Sequence, residues 1–219
     1  MSAPAPHSPT LLLLAAFSRH DAAIEWARCR ATEAWGAIAR QSPLFHFGET
    51  NYYEPTMGGD LRKIFFVFEA PFDPANLADV KLLTNRWEEE YAAGAGHSEP
   101  RPLNLDPGYI TLGKLVLAST KDYAHRIYLS KGIYAEITLS YRRKRWQTGE
   151  WTFADYKRAD YHAFFSVCRD LLHRRRKEHR HEDRTSVGGP ANISNADSSN
   201  RTIHRRPPYR EDPPERDRP

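Results

Sequence analysis

The residues best suited to acid–base chemistry lie within the segment 104–141. His125 lies in this segment together with Asp106 and Glu136. A histidine can act as a general acid or base near neutral pH when a carboxylate orients its ring. These three residues are therefore the candidate catalytic group of a small hydrolase or transferase. The alternative is a buried histidine satisfied by a backbone group, which is the more common situation.

The same segment carries basic and aromatic side chains that suit a phosphorylated ligand. Lysine and arginine pair with phosphate groups, and aromatic rings stack on bases. For Arg126 the alternative is a cross-strand ion pair with Glu136, and for the lysines it is a solvated position near a turn. The predicted ligand-binding residues of this segment are Lys114, Lys121, Arg126, Tyr128 and Lys131.

A second cluster lies in NYYEPTMGGDLRK, residues 51–63, between two predicted strands. Connections of this length are often functional, and the pair Gly58-Gly59 allows a backbone to approach a ligand closely. The alternative is an ordinary crossover loop that is anchored by its tyrosines. The predicted ligand-binding residues of this loop are Tyr52, Tyr53, Glu54 and Arg62.

Several familiar sites have no counterpart in the sequence. It contains no phosphate-binding loop of the G-x-x-x-x-G-K-[ST] type, no G-x-G-x-x-G, no G-x-S-x-G and no H-E-x-x-H. His173, His179 and His181 lie in or beside a charged tail without a framework that could fix the geometry of a metal site. We therefore predict no metal site, and the motifs identify no cofactor.

Hydrophobic periodicity predicts the elements that position these residues. Strands are predicted at 11–18, 44–48, 61–69 and 101–105, and helices at 20–40 and 74–94. The order strand, helix, strand, strand, helix, strand is that of a ferredoxin-like α/β sandwich with a mixed or antiparallel sheet. The fold class predicted from this order is α+β, with an added β-hairpin and a C-terminal helix.

The segment after residue 105 is predicted to continue with a short helix at 109–118, for which a strand is the alternative. A hairpin follows, with strands at 123–129 and 133–141. We expect a three-residue loop that ends at Gly132, because such loops need a left-handed residue. In this register Ile127 lies opposite Ala135 and Tyr128 lies opposite Tyr134, which keeps apolar and polar faces separate.

The second face of this hairpin would hold two tyrosines, Tyr128 and Tyr134, together with Arg126 and Glu136. If the face is open, it forms a platform for stacking and phosphate contact. If the C-terminal helix covers the face, the tyrosines belong to a second core. The sequence leaves both alternatives open.

The chain divides by composition into three parts. Residues 1–9 form a flexible leader, residues 10–173 a single α+β domain, and residues 174–219 a charged tail that is predicted to be disordered. Twelve basic and eight acidic residues lie in the tail, so the whole formal net charge of +4 belongs to it. The tail is either a solvated extension or, through residues 174–177, a basic patch for RNA or another polyanion.

The expected compartment follows from the apolar run 11–17 and from the cysteines. The run is too short to span a bilayer, and no Lys or Arg precedes it, so a buried strand is predicted there. Cys29 and Cys168 have no nearby cysteine partner, which is typical of a reducing compartment. We expect a cytoplasmic protein that does not interact with membranes.

Several segments resemble an uncharacterised family of bacterial proteins that carry a domain of unknown function. They are NYYEPTMGG, LADVKLLTNRWEEE, NLDPGYITLGKLVLASTKDYAHRIYLSKGIYAEITLSY and WTFADY. The resemblance spans residues 11–172 and implies no activity, cofactor or site residue. Some members bear only the label "GTP-binding protein", but the phosphate loop and the N-K-x-D motif of familiar GTPases do not occur in this sequence.

Three functions are compatible with these observations. The first is a binding or regulatory protein for a nucleotide, RNA or another phosphorylated ligand, which the basic and aromatic residues favour. The second is the hydrolase or transferase that would use His125 with Asp106 or Glu136. The third is a protein–protein adaptor without a small ligand, which the balanced charge of residues 1–173 would allow.

Overall fold

A computed structural model describes residue 3 and residues 7–94 and 96–186 of the chain. Within these described residues, nine strands form one antiparallel sheet, and helices pack on both of its faces. The strands are β1 (Leu11–Ser18), β2 (Ile38–Gln41), β3 (Phe45–His46), β4 (Arg62–Pro71), β5 (Asn104–Ile110), β6 (Lys114–Ser119), β7 (Ile127–Ser130), β8 (Ile133–Arg142) and β9 (Arg145–Thr148). The helices are α1 (Asp21–Trp35), α2 (Glu54–Met57), α3 (Leu77–Gly94) and α4 (Ala159–Ser186).

The ferredoxin-like part of the prediction is confirmed by the strand order. The sheet runs β2-β4-β1-β5, and then continues through β6 and β8 to β7. With α1 and α3 as the two helical connections, the first four of these strands have the order of a ferredoxin-like sandwich. The added hairpin and the C-terminal helix are present as well, and every strand pair is antiparallel.

The central strand β1 is buried along its whole length because both of its faces are covered. Leu13 and Ala15 belong to the core beneath α4, whereas Leu14 and Ala16 belong to the core beneath α1 and α3. Burying each leucine contributes about 1.5–3 kcal/mol relative to exposure. The uninterrupted apolar run of β1 therefore reflects its position between two cores.

The first correction concerns the helix predicted at 20–40. The helix ends at Trp35, and residues 38–41 form the edge strand β2, which pairs with β4. Gly36 has a φ of 83°, a left-handed value that breaks the helix and favours glycine. The apolar spacing that continues through Ile38 is therefore not helical, and the predicted strand at 44–48 shrinks to the two residues of β3.

The second correction concerns the helix predicted at 109–118, which is wrong. The alternative of a strand is correct, because β5 extends to Ile110 and β6 begins at Lys114. Residues 115–118 are all buried, which fits a strand covered on both faces. The strand predicted at 101–105 is correspondingly displaced to Asn104–Ile110.

The third correction concerns the turn of the β7–β8 hairpin. Ile127 pairs with Ala135 and Tyr128 with Tyr134, as predicted, but Ser130 and not Leu129 pairs with Ile133. Both residues of the two-residue turn have positive φ, 54° at Lys131 and 77° at Gly132. These values match a type I′ turn, and Leu129 is the extra residue of a bulge.

Helix α4 covers the second sheet face through Tyr161, Phe165, Cys168 and Leu172. It extends to Ser186, so the predicted tail begins inside this helix. The predictions for residues 187–219 of the tail, and for residues 1, 2 and 4–6 of the leader, lie outside the described residues. None of the helices among the described residues combines the length and apolarity needed to cross a membrane.

Candidate functional site

The sheet opens between β5 and β6, and this opening creates the candidate site. The two strands pair only from Gly108–Leu117 to Ile110–Leu115. Pro107 cannot continue the pairing, because it has no N–H to donate. Leu105 lies two residues before Pro107, so the backbone groups of both residues point to the same edge of β5. At Leu105, side chains of α3 replace the strand: Glu88 accepts from the N–H at 2.7 Å and Lys81 donates to the C=O at 2.8 Å.

A cavity of about 560 Å³ lies at this opening. Its volume falls within the range of small-molecule sites in proteins. Segments that are distant in sequence meet around it, including residues 47–53, the end of β6 and residues 153–156. The charged residues that line it are Lys63, Lys81, Arg101, Lys121, Arg126, Glu49, Asp106, Glu136 and Asp155.

One wall of the cavity contains a buried ion pair between Lys63 and Asp155. The two charged atoms are 2.6 Å apart, and only 4% and 6% of the two side chains are exposed. The ammonium also lies over the rings of Phe17, Phe47 and Tyr156, at 4.6, 4.2 and 5.2 Å from their centroids. The rings and the carboxylate together stabilise a cation that is removed from water.

A second network connects α3 with the open edge of β5. Lys81 Nζ lies 3.4 Å from Asp106 Oδ1, and Asn104 Nδ2 donates to Asp106 Oδ2 at 2.8 Å. Arg101 donates to the side-chain oxygen of Asn104 and lies 2.9 Å from Glu88 Oε2. Every charge in this network therefore has an oppositely charged neighbour.

The two carboxylates of this network differ in their pKa. Burial disfavours the charge of Asp106, but the nearby charges of Lys81, Lys63 and Arg101 outweigh this effect and lower the pKa of its carboxyl. For Glu88 burial dominates and raises the pKa, although Lys81 and Arg101 oppose it. The site therefore favours the charged form of Asp106 and disfavours the charged form of Glu88 relative to an exposed carboxyl.

The shift at Asp106 predicts a pH-dependent stability difference. The pKa of Asp106 in the folded state lies below its value in the unfolded chain, which is about 3.9. The ionised carboxylate therefore stabilises the fold fully at pH values above the unfolded pKa, and this stabilisation is lost as the pH falls through the folded pKa. Relative to Asp106→Asn, the wild type should keep its full electrostatic advantage at pH 7 and lose it below pH ~4. Urea denaturation at several pH values measures this, and a constant difference from pH 7 to pH ~2 would contradict it.

A third cluster surrounds Glu136. Arg126 Nε lies 2.8 Å from Glu136 Oε2, and His125 Nε2 lies 3.1 Å from the same oxygen. Arg126 also donates to Ser119 Oγ at 2.7 Å and to the carbonyl of Lys121 at 3.1 Å. The ion pair considered from the sequence is present, but it is buried and not exposed, so breaking it would leave an uncompensated charge.

His125 contacts one of its two predicted carboxylate partners. It contacts Glu136, whereas Asp106 bonds to Lys81 and Asn104 instead. The imidazole stacks on Trp151 with a centroid distance of 5.3 Å and an interplanar angle of 2°. Arg126 and Glu136 line the cavity and His125 does not. Catalysis by His125 stays a prediction.

Two residues of the loop 51–53, Tyr52 and Tyr53, line the cavity. Lys121 Nζ donates to the hydroxyl of Tyr52 at 2.9 Å and lies 4.8 Å from its ring centroid. This hydrogen bond lowers the pKa of Tyr52. Tyr53 packs inward on Phe17 and Phe47, and burial raises its pKa. The structure thus brings Tyr52, Tyr53 and Lys121 together with Arg126, as part of one lining.

The other five predicted ligand-binding residues lie outside the cavity lining. Arg62 pairs with Asp21 at 2.8 Å, and Lys131 pairs with Asp79 at 2.5 Å. Tyr128 packs edge-to-face on Tyr134, at 5.3 Å and 68°. Glu54 begins α2, and Lys114 begins β6.

Sequence reasoning missed several lining residues that are polar at buried positions. Lys63 is in phase with Phe65 and Val67, on the same face of β4. Lys81 lies four residues after Leu77 on the buried stripe of α3. Charged residues rarely occupy such positions unless they are paired, so their placement was a usable signal. The missed residues are Lys63, Lys81, Asn104 and Asp155, which are buried, and Arg101, which is partly exposed.

Fold and site together define an α+β protein whose antiparallel sheet opens onto a charged, aromatic-lined cavity. The model of a family described as a domain of unknown function, DUF4416, matches residues 8–171. The chain belongs to this family. No curated protein and no solved structure matches the chain.

Proposed function

We propose that the cavity binds a small phosphorylated ligand of nucleotide size. The observation that carries the proposal is the convergence of five basic side chains on one cavity of about 560 Å³. They come from β4, α3, the segment before β5 and the segment that joins β6 to β7. Convergent cations in a concave site attract anions, and charge-assisted hydrogen bonds hold phosphate oxygens strongly.

Lys121 is the cation best placed to meet a phosphate group. The other four basic residues of the lining pair with carboxylates, whereas Lys121 makes no ion pair among the described residues. Its ammonium has three donors, and the Tyr52 hydroxyl uses one of them. An incoming anion can therefore bind Lys121 without breaking an existing ion pair.

Aromatic rings on the same cavity supply contacts for a flat ligand group. Arg126 lies 4.7 Å from the ring centroid of Tyr123 and 6.0 Å from that of Phe153. Both rings line the cavity and are partly exposed. A planar heterocycle gains contact with such rings, which favours a nucleotide over a simple sugar phosphate.

The geometry favours a small ligand over an RNA strand. RNA-binding platforms present rings on an open sheet face so that successive bases can stack. Tyr128 and Tyr134, the pair considered for that role, contact each other edge-to-face and not in a common plane. The basic groups face the cavity instead.

The hydrolase or transferase alternative rests on the 3.1 Å contact between His125 and Glu136. A general base must reach the reacting group, and His125 is stacked on Trp151 beyond the cavity lining. The adaptor alternative is supported by exposed apolar side chains on β7 and β8, Ile127 and Ile137. We therefore place binding of a small ligand ahead of both.

The proposal predicts that a phosphorylated compound raises the melting temperature. A panel of nucleoside mono-, di- and triphosphates, the matching nucleosides, ribose 5-phosphate and inorganic phosphate should be screened by thermal shift. Ligand at about 100 times its Kd stabilises the fold by about 2.7 kcal/mol. Nucleotides should shift the melting temperature, and nucleosides should shift it much less. No shift with any phosphorylated compound would overturn the proposal and favour the adaptor.

Lys121→Met should weaken the binding of the best compound roughly tenfold or more, because a hydrogen bond to a charged group is lost. Lys144→Met is the matched control, since Lys144 lies in the β8–β9 turn outside the cavity lining. Isothermal titration measures both affinities. Equal affinities of the two variants would show that the ligand binds elsewhere.

A further inference from the structure

Three potential metal ligands meet at a place outside the cavity lining. His20 directly precedes α1, and His97 and Glu99 lie in the segment between α3 and β5. One ligand atom from each of the three residues lies within 4.8 Å of the others. All three side chains are only partly exposed. No metal site was predicted from the sequence, because the three residues form no metal-binding motif. His20 lies before α1, whereas His97 and Glu99 lie after α3.

The separation between His20 and Glu99 suits a metal ion of the zinc type. Two ligand atoms at about 2.0 Å from a tetrahedral ion lie about 3.3 Å apart. His20 Nε2 and Glu99 Oε2 are 3.3 Å apart. The imidazoles of His20 and His97 stack with centroids 3.9 Å apart and planes inclined by 21°. The stacked rings would have to rotate about their side-chain bonds to point both nitrogens at one ion, and the ligand atoms already lie within 4.8 Å of one another.

Two of the three potential ligands, His97 and Glu99, are hydrogen-bonded to neighbouring side chains, as metal ligands commonly are. The hydroxyl of Tyr91 lies 3.1 Å from His97 Nε2, which leaves Nδ1 of that ring for an ion. Arg19 donates to Glu99 Oε1 at 3.0 Å, and Ser98 Oγ donates at 3.2 Å to Oε2, the oxygen that faces His20. Such hydrogen bonds orient metal ligands and typically change affinity by about 10–100-fold.

We propose that His20, His97 and Glu99 form a binding site for a divalent transition-metal ion of the zinc class. Two imidazoles and one carboxylate match the three-ligand set of zinc sites that keep a fourth position open for water. The segment that carries His97 and Glu99 continues to Arg101, whose N–H donates to Thr56 O at 3.0 Å and whose side chain lines the cavity. A bound ion would therefore fix the segment beside the cavity.

The test is a titration of the metal-free full chain with Zn²⁺, without any phosphorylated compound. Calorimetry should show one high-affinity equivalent, and Co²⁺ should give the visible absorption of a four-coordinate site. His97→Asn and Glu99→Gln should each lose this equivalent. Tyr91→Phe should keep the equivalent with affinity lowered roughly 10–100-fold. Circular dichroism should show that each variant is folded.

The tail supplies the control, because His179 and His181 offer a separate route to zinc binding. The double variant His179→Asn/His181→Asn should retain the high-affinity equivalent. The proposal is overturned if His97→Asn and Glu99→Gln bind Zn²⁺ as the wild type does, or if the tail variant loses the equivalent. Because the readout is metal binding, failure of this test leaves the proposed phosphorylated ligand unaffected.

Discussion

Replacing Asp155 with alanine should lower the free energy of unfolding by about 3–5 kcal/mol. The substitution leaves Lys63 as an uncompensated charge between three aromatic rings, with 4% of its side chain exposed. Water cannot solvate the ammonium there without opening the core. Urea denaturation followed by circular dichroism measures the loss.

Two further variants separate the effect of burial from the effect of charge. The double variant Lys63→Met/Asp155→Leu removes both charges and should recover most of the stability, because an apolar pair of similar volume is often neutral or stabilising. Asp79→Asn breaks the exposed ion pair with Lys131 and should leave the free energy of unfolding nearly unchanged. A loss below about 1 kcal/mol for Asp155→Ala would contradict the prediction.

The same double variant also tests the role of this ion pair in binding. If Lys63 only stabilises the cavity wall, the folded double variant should bind nucleotides as the wild type does. If Lys63 contributes to the anion site, the double variant should be stable but bind more weakly. Because Lys63 lines the cavity, we expect the second result.

Gly108→Ala should destabilise the protein by about 1–3 kcal/mol, the usual cost of overpacking. A Cβ at this position would lie 2.2 Å from the carbonyl oxygen of Val116 and 2.8 Å from Leu117 Cδ2. The carbonyl oxygen is part of the backbone of β6 and cannot rotate away. The strands would have to separate where their pairing already ends, so the cavity should change shape and ligand affinity should fall as well.

Gly113→Ala is the matched control, because a Cβ at Gly113 has no neighbouring atom within 4 Å. Gly113 lies in the connection between the same two strands. This variant should keep the stability and the ligand affinity of the wild type within error. Equal stabilities of the two alanine variants would show that β5 and β6 accommodate a methyl group at their last paired position.

Local patterns determined a large part of the fold. The apolar run of β1 and the amphipathic stripe of α3 act over short distances, so they can be read from neighbouring residues. The order of the first elements then restricted the topology to the ferredoxin-like arrangement that the strand order confirms. The hairpin register away from its turn was also predictable, because a slip by one residue exchanges the faces.

Other elements depended on partners that are distant in sequence. Residues 38–41 carry helical spacing but pair with β4, and residues 114–119 become a strand between β5 and β8. Tertiary pairing overrode the local preference in both places, because a strand is stabilised by neighbours that the local sequence does not reveal. The bulge at Leu129 likewise depends on the complete hairpin. The two-residue turn pairs Ser130 with Ile133, so Leu129 is left as an extra residue in β7.

The candidate site shows the same division. Tyr52, Tyr53, Lys121 and Arg126 could be selected because aromatic and basic residues near turns are plausible ligand contacts from sequence alone. The buried partners that complete the cavity come from other parts of the chain. Only the folded chain brings Lys63 to Asp155 and Lys81 to Asp106. Each ion pair joins two segments that are far apart in sequence and that exclude water from the space between them when they pack together.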